Sequence, residues 1–258
     1  MKETKIPGDG EKVEVAADEA PLGVILKKEF DAESWQPVTE LGRKVKAGEI
    51  KNIDEILDKG GRILEPEIVD YLVPNLEHDL LSIGQSKGKF GGGKKSIWRQ
   101  TQKKTAEGNK PKFAALVVIG NKNGYVGIGL GKAKETMPAR EKALKNAKLN
   151  LMKVRRGCGS WECVCGEPHS IPVAASARVG SVIFQLKPAP RGASLATEKE
   201  FAKILVFAGI KDIYSRSFGQ TRTKLNMLKA GCSALQKISQ MKIPAAYYQK
   251  GGVIEGAK

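Results

Sequence analysis

The chain has 258 residues, of which 41% are hydrophobic, so it can form two domains with buried cores and is not wholly disordered. Its formal net charge of +16 is uneven, because residues 1–90 carry 13 Lys and Arg against 19 Asp and Glu, whereas residues 91–258 carry 31 against 9. That surplus predicts a polyanionic partner such as a nucleic acid, and it disfavours a membrane because the basic helix near residue 140 carries small aliphatic residues instead of Trp or Phe.

The amino-terminal part is predicted to be an extension followed by short helices. Residues 1–32 alternate Lys with Glu and Asp between Pro and Gly residues, which predicts a flexible extension. Residues 33–88 are predicted to be a helical region, with one short helix capped by Asn52 and another over 66–72 that has Pro at its first turn.

A glycine- and lysine-rich stretch, GQSKGKFGGGKK at 84–95, raises the alternative of a phosphate-binding loop. The G-x-x-x-x-G-K pattern that starts at Gly88 places Lys95 where Ser or Thr must hold magnesium, and Ser96 comes one position late. The favoured interpretation is therefore a flexible basic loop.

Residues 89–156 are predicted to form a sheet backed by a basic helix. The apolar run FAALVVIG from Phe113, the turn signal NKNG and the alternating YVGIGLG indicate a hairpin. The stretch SIWRQTQKK predicts a shorter strand, joined to the hairpin by a basic loop, AEGNKPK. A helix follows, with Thr136 as its cap and with Met137, Leu144, Ala147 and Leu151 at helical spacing on its apolar side. The prediction is three strands and one helix.

Residues 171–240 are predicted to form a second, two-layer α/β unit. It consists of the strand SVIFQLKPA, the loop PAPRG, a helix ended by Gly209, the short strand KDIYSRSFG and a final helix in which Cys232 is a buried thiol. Residues 241–258 are predicted to be a tail, and its end, GGVIEGAK, is predicted to be frayed.

The connector at 157–170 contains Cys158, Cys163, Cys165 and His169, with glycines between them. No signal peptide or membrane span is apparent, so a reducing cytoplasm is expected, where these residues stay thiols. Three thiols and an imidazole are a complete tetrahedral set for Zn²⁺, and a closed set of four ligands indicates a structural site. The alternative of small buried cysteines and a hydrogen-bonded histidine stays open at this point.

Four stretches resemble one known family: GNKPKFAALVVIGNKNGYVGIGLGKAKE at 108–135, AKLNLMKVRRGCGSWECVCGEPHSIP at 147–172, GSVIFQLKPAPRG at 180–192 and LVFAGIKDIYSRSFGQTRT at 205–223. They are similar to the universal small-subunit ribosomal protein number five, in its archaeal form. The resemblance extends from about residue 33 to about residue 238.

The resemblance implies an α+β fold, with a double-stranded-RNA-binding-like domain followed by the α/β domain typical of this family. It also implies a structural role in the cytoplasmic small ribosomal subunit, in assembly, decoding accuracy and messenger entry. The implied partners are small-subunit ribosomal RNA, ribosomal proteins four and eight and messenger RNA at the entry tunnel, with no membrane.

Candidate RNA-binding residues are basic side chains of the strands, loops and connector, together with one serine. In the family, the loop between the first two strands reaches RNA near the decoding centre, and Gly180, Ser181 and the PAPRG loop match a part that faces an RNA junction. Arg155 and Arg156 are expected to be presented to RNA where the chain enters the connector. The full set is Lys94, Lys95, Arg99, Lys103, Lys104, Lys110, Lys112, Lys132, Lys134, Arg155, Arg156, Arg178, Ser181, Arg191 and Arg222.

Two alternative functions are disfavoured by the residues themselves. A zinc-dependent enzyme acting on RNA needs an open coordination position and a base, and the other histidine, His78, lies far along the chain in a helix-like acidic region. A free RNA-binding regulator has no use for the matched loops of the second unit. The chain is therefore predicted not to be an enzyme.

Overall fold

The computed structural model describes residues 35–73, 75–86, 88, 95–163 and 165–256, so the predicted extension at 1–32 lies outside the described residues. The helices are α1 (Glu40–Lys46), α2 (Ile53–Asp58), α3 (Pro66–Leu72), α4 (Thr136–Leu149), α5 (Lys199–Ala208), α6 (Lys224–Gln240) and α7 (Ala245–Lys250). The strands are β1 (Glu77–Leu81), β2 (Arg99–Thr105), β3 (Gly108–Gly120), β4 (Tyr125–Ala133), β5 (Leu151–Lys153), β6 (Arg155–Arg156), β7 (Ala175–Val179), β8 (Val182–Pro188), β9 (Leu195–Ala196), β10 (Ile213–Phe218) and β11 (Ile254–Glu255). Within these described ranges, no helix is both long and apolar enough to cross a membrane.

The first sheet is built around β3. In the described part of the chain it has the order β1-β3-β4-β5, and β2 pairs with the outer part of β3 beyond β1. The hairpin of β3 and β4 confirms the prediction, and its turn is closed by the Asn121 side chain, which accepts hydrogen bonds from the amides of Asn123 and Tyr125. The prediction of three strands was wrong, because β1 and β5 are short and become strands only through pairing with β3 and β4. His78 accordingly lies in β1 and not in a helix.

A stripe of small residues seats α4 on one face of this sheet. A Cβ atom added to Gly129 would lie 2.1 Å from the amide nitrogen of Ala147 and 2.2 Å from the carbonyl oxygen of Ala143, so only glycine permits this approach. The apolar side predicted for α4 is correct at Ala147, which is buried, and wrong at Met137, which is exposed; the other buried residues of this helix are alanines as well. The predicted cap is displaced by one residue, since Glu135 is the N-cap and Thr136 is the first helical residue.

The amino-terminal helices pack on the same face of the first sheet. Ile56, Ile68 and Val69 join a core that includes Val117 of β3 and Ala143 of α4. Two ion pairs reinforce the contact: Lys148 Nζ lies 2.6 Å from Asp70 Oδ2, and Lys153 Nζ lies 3.2 Å from Asp58 Oδ1. The predicted short helices are confirmed, and they are an integral part of the first core.

The second unit covers the opposite face of the first sheet. Its described strands have the order β7-β8-β10-β9, and only β9 with β10 is parallel. Helices α5 and α6 lie between the two sheets in one core, where the rings of Phe184 and Phe201 are 4.8 Å apart and Leu116 and Val118 come from β3. Helix α5 ends at Gly209 in a left-handed conformation, as predicted, and Cys232 is buried within α6. The predicted α+β fold of two domains is confirmed.

Strand β11 lies within GGVIEGAK, which corrects the prediction that this stretch is a frayed tail. After α7, strand β11 pairs antiparallel with β6, so that Ile254 lies opposite Arg156 and Glu255 lies opposite Arg155. A local sequence pattern does not reveal this pairing, because about 100 residues separate the two strands.

This pairing buries Arg155 and Arg156, which are 7% and 6% exposed. Arg155 donates to the carbonyl oxygens of Ile238 and Met241 and pairs with Glu255 at 2.5 Å. Arg156 donates to Asn123 Oδ1 and to the carbonyl oxygen of Gly256, and burial lowers the pKa of its guanidinium. The expectation that these two arginines face RNA was therefore wrong, because their guanidinium groups are used inside the protein.

We predict that Glu255→Gln lowers the free energy of unfolding by about 1–3 kcal/mol, since it removes the counter-charge of a buried guanidinium. The matched control is Glu107→Gln, which breaks the exposed pair with Lys110 and should change stability by less than about 1 kcal/mol. Urea unfolding followed by tryptophan fluorescence measures both. Equal effects of the two substitutions would contradict the stabilising role of Arg155.

Candidate nucleic-acid interface and metal centre

The hairpin of β2 and β3 carries most of the basic residues predicted to bind RNA. Every residue from 99 to 104 and from 108 to 112 is exposed. The predicted basic loop AEGNKPK is largely strand, because residues from 108 onward pair with β2 and only Ala106 and Glu107 form the turn. Lys110 and Lys112 are thus held on a regular strand, and the hairpin is a long arm that projects beyond the core.

Strand alternation sorts these residues onto two faces. Side chains point alternately to the two sides of a strand, and residues opposite each other on paired strands share a side. Lys103 lies opposite Lys110, Thr101 opposite Lys112, and Arg99 opposite Ala114, which in turn lies opposite Lys132. One side, which we call the hairpin face, therefore carries Arg99, Lys103, Lys110, Lys112 and Lys132. Lys104 points to the other side, and Lys134 is exposed just after β4.

The base of the hairpin face meets the start of α6. A shallow cavity of about 300 Å³ is lined by Arg99, Lys112 and Lys132 together with Leu225. Arg222 is exposed and precedes Leu225 by three residues, so it arrives within about 10 Å of the same cavity. Gly219 approaches the carbonyl oxygen of Ser181 so closely that an added Cβ would lie 2.0 Å from it. Arg222 therefore lies near the base of the hairpin face. Ser181 lies beside the start of α6, because a Cβ added to its neighbour Gly180 would be 3.4 Å from Asn226 Nδ2.

Arg191, a further predicted residue, lies apart from that surface. Arg191 follows β8, whereas Ser181 precedes it, and a strand of seven residues separates them by about 20 Å. Lys95 is half-buried and forms an isolated bridge with Ser86, and Lys94 lies outside the described residues.

The outer face of the second sheet presents basic and aromatic residues that were not predicted from the sequence, apart from Arg178. Ser176, Gln185 and Arg216 are adjacent across three strands, and so are Arg178, Ile183 and Phe218. Tyr214 and Phe218 are among the exposed large hydrophobic residues, and Lys187 lies opposite Tyr214. The alternation in IYSRSF could have predicted this face, because Tyr214, Arg216 and Phe218 are every second residue of the strand and turn away from the core.

The four predicted metal ligands lie together. The Sγ atoms of Cys158, Cys163 and Cys165 and a ring nitrogen of His169 are all within 4.8 Å of one another. Cys163 Sγ is 3.8 Å from His169 Nε2, whereas tetrahedral bonds of about 2.3 Å to sulfur and about 2.0 Å to nitrogen set these two atoms about 3.6 Å apart. The cluster can hold a metal ion with modest contraction.

The surrounding groups favour thiolate at one cysteine. Backbone hydrogen bonds from Arg191 and Cys165 lower the pKa of the Cys163 thiol to about 6, whereas burial and the neighbouring sulfurs raise the pKa of Cys158 to about 11. The Glu167 amide donates to Cys165 Sγ at 3.5 Å. Amide-to-sulfur hydrogen bonds of this kind stabilise the negative charge that metal-ligating thiolates carry.

Asp212, which sequence reasoning missed, fixes the orientation of the histidine. Its Oδ2 lies 2.9 Å from His169 Nδ1, and both side chains are buried. Nε2 of His169 is therefore the nitrogen that faces the sulfurs. Asp212 lies 43 residues along the chain from His169, so no spacing motif in the sequence connects them.

Comparison with known proteins gives a consistent result for both domains. The family model described as "Ribosomal protein S5, N-terminal domain" matches residues 97–155, and "Ribosomal protein S5, C-terminal domain" matches residues 177–246. The "Small ribosomal subunit protein uS5" of Nanoarchaeum equitans is 49% identical over 225 residues, which cover 87% of this chain and 96% of that protein. The proteins of the same name from Methanocaldococcus jannaschii and Ignicoccus hospitalis are 42% and 46% identical over 88% and 85% of this chain, and over 98% and 97% of their own lengths. The resemblance to the archaeal form is confirmed, and the chain belongs to the ribosomal protein S5 family.

Proposed function

We propose that the protein is a structural component of the small ribosomal subunit that binds ribosomal RNA through the hairpin face. The relatives carry the name of a small-subunit protein, and the family is one of ribosomal structural proteins and not of enzymes. The observation that carries the proposal is the projecting hairpin, which places four cations on the same side as Lys132 of β4, next to the start of α6. Such an arm reaches into RNA while its base stays fixed in the core.

The hairpin face acts by neutralising phosphates and fixing the position of RNA helices. Lysine and arginine contacts to phosphates supply affinity and register, whereas base edges supply sequence specificity. Because β2 and β3 are regularly paired, the cations are held at strand spacing before RNA arrives, and less conformational entropy is lost on binding. Lys104 and Lys134 extend the positive potential around the arm.

The family resemblance also suggests individual partners besides ribosomal RNA. We propose contacts with ribosomal proteins four and eight and with messenger RNA at the entry tunnel, and through them a role in assembly, decoding accuracy and messenger entry in the cytoplasm. The outer face of the second sheet, with Arg178 and Arg216, and the exposed Ser181 and Arg191 are proposed as further contact surfaces. The predicted units at 33–88, 89–156, 157–170 and 171–240 remain our proposed domain division.

We also propose that Cys158, Cys163, Cys165 and His169 hold one Zn²⁺ ion. Three thiolates and an imidazole are soft and borderline ligands that suit zinc, and a closed set of four leaves no position for a reacting water. The cluster is supported by amide-to-sulfur hydrogen bonds and by the His169–Asp212 contact. The ion would be a structural clip between the two domains, without catalytic chemistry.

The proposed assembly predicts that the native protein sediments with the small subunit in a one-to-one ratio and leaves it only at high salt, because phosphate contacts weaken as salt rises. Gradient centrifugation followed by immunoblotting measures this. A protein found mainly at the top of the gradient would instead support the free RNA-binding regulator.

The hairpin face predicts that Lys103→Gln combined with Lys112→Gln weakens binding to small-subunit ribosomal RNA by about tenfold and reduces the salt slope of log K by about 2. The control with the same net charge combines Lys104→Gln on the opposite side with Lys142→Gln on α4, and it should have a smaller effect. Filter binding over a range of salt concentrations compares the two. Equal losses would show that binding follows total charge and not this face.

The metal centre predicts about one zinc per chain in protein purified without chelator, because structural zinc binds with roughly 10–16 kcal/mol. Cys163→Ser should lose most of the metal, and Cys232→Ala, at the buried thiol outside the cluster, should keep it. Elemental analysis and a Co²⁺ absorption spectrum measure content and geometry. Native protein without bound metal, or full metal content in the Cys163 variant, would refute the zinc assignment.

A further inference from the structure

The loop after β8 lies directly against the proposed metal centre. It carries Arg191, whose side chain is 66% exposed, while the backbone of the loop makes buried contacts. The Arg191 guanidinium pairs with the Glu167 carboxylate of the connector at 3.2 Å, and the Ala189 amide donates to Ser170 Oγ at 3.2 Å. The exposed Arg191 side chain therefore belongs to a loop whose backbone is hydrogen-bonded to the connector.

A second connection runs through Asp212. One carboxylate oxygen, Oδ2, lies 2.9 Å from His169 Nδ1, and the other, Oδ1, accepts hydrogen bonds from the amides of Gly192 at 3.2 Å and Ser194 at 2.9 Å. Asp212 is only 5% exposed, so solvent cannot replace these partners. The Asp212 amide also donates to the carbonyl oxygen of His169. A single buried side chain therefore joins the imidazole to the loop.

The loop backbone needs such support. Ser194 has φ of +59°, which is unfavourable for a residue with a Cβ atom, and Gly192 has φ of +89°. The amides of these same two residues donate to the Asp212 carboxylate. Without the carboxylate, Ser194 would lose the contact that offsets its strain.

We infer that Asp212 is an outer-sphere positioning residue of the metal centre, and that a bound zinc ion, acting through His169 and Asp212, fixes the loop that presents Arg191. This inference rests on the proposed zinc site. The ion orients His169 through Nε2, Asp212 fixes the same ring through Nδ1, and its second oxygen holds Gly192 and Ser194. The metal centre thereby sets where one cation of the second domain points.

An isosteric substitution separates this role from simple packing. In Asp212→Asn, the amide has one acceptor where the carboxylate has two. It cannot accept from both the imidazole and the two loop amides, so one side loses its partner. Loss of an outer-sphere carboxylate typically weakens metal binding 10–100-fold. Asp70→Asn, which removes an acidic partner of Lys148 on the far side of the first sheet, is the matched control.

The test is zinc affinity by chelator competition for the native protein and both variants, together with amide hydrogen exchange of the native protein with and without zinc. We expect 10–100-fold weaker zinc binding in the Asp212 variant and unchanged binding in the Asp70 variant. We also expect exchange at Gly192 and Ser194 to accelerate about tenfold when zinc is removed, while amides in β8 stay protected.

Two outcomes would overturn the inference while leaving the zinc site intact: native zinc affinity in the Asp212 variant, or exchange at Gly192 and Ser194 that does not respond to zinc. A native protein that binds no zinc would overturn the zinc site and the inference together. Binding of ribosomal RNA by the hairpin face is measured separately and does not depend on either outcome.

Discussion

Strand β3 is buried on both sides of the first sheet along its inner half, residues 114–120, and exposed on both sides along its outer half, residues 108–112. Helix α4 and the amino-terminal helices cover one side of the inner half, and α5 and α6 cover the other. A strand covered on both faces can be apolar without interruption, as FAALVVIG is. The same covalent strand then continues as a basic arm, so the cores of both domains fix the direction in which the arm projects.

Buried polar groups gather where the two domains, the connector and the carboxy-terminal strand meet. Among the described residues, the buried polar and charged side chains are Arg155, Arg156, His169, Ser170 and Asp212. Each makes directional contacts to a segment distant in sequence, and burial is costly unless such contacts form. These groups therefore select one arrangement of the connector more sharply than apolar packing would. A zinc ion at Cys158, Cys163, Cys165 and His169 would add four coordinate bonds that further restrict the conformation of the connector.

Local patterns in the sequence predicted the features that depend on local physics. The apolar runs of β3 and β8, the Gly209 helix stop and the grouping of three cysteines with one histidine are of this kind. Residues 108–112 of the arm were mistaken for a loop because both faces of this part of β3 are exposed, so no alternation marks it as a strand. Strand β11 and Asp212 could not be predicted, since their partners lie about 100 and 43 residues away. Two adjacent arginines in a basic chain suggest RNA binding. Only the pairing of β6 with β11 shows that Arg155 and Arg156 are buried inside the protein.

The central claim is that the tip of the arm contacts ribosomal RNA in the assembled subunit. The most direct measurement introduces a photo-crosslinking amino acid at Glu107, an exposed turn residue at the tip, and irradiates intact small subunits. The account predicts a crosslink to small-subunit ribosomal RNA that disappears in free protein mixed with unrelated RNA. Crosslinks only to neighbouring proteins, or none at all in subunits that contain the protein, would contradict it.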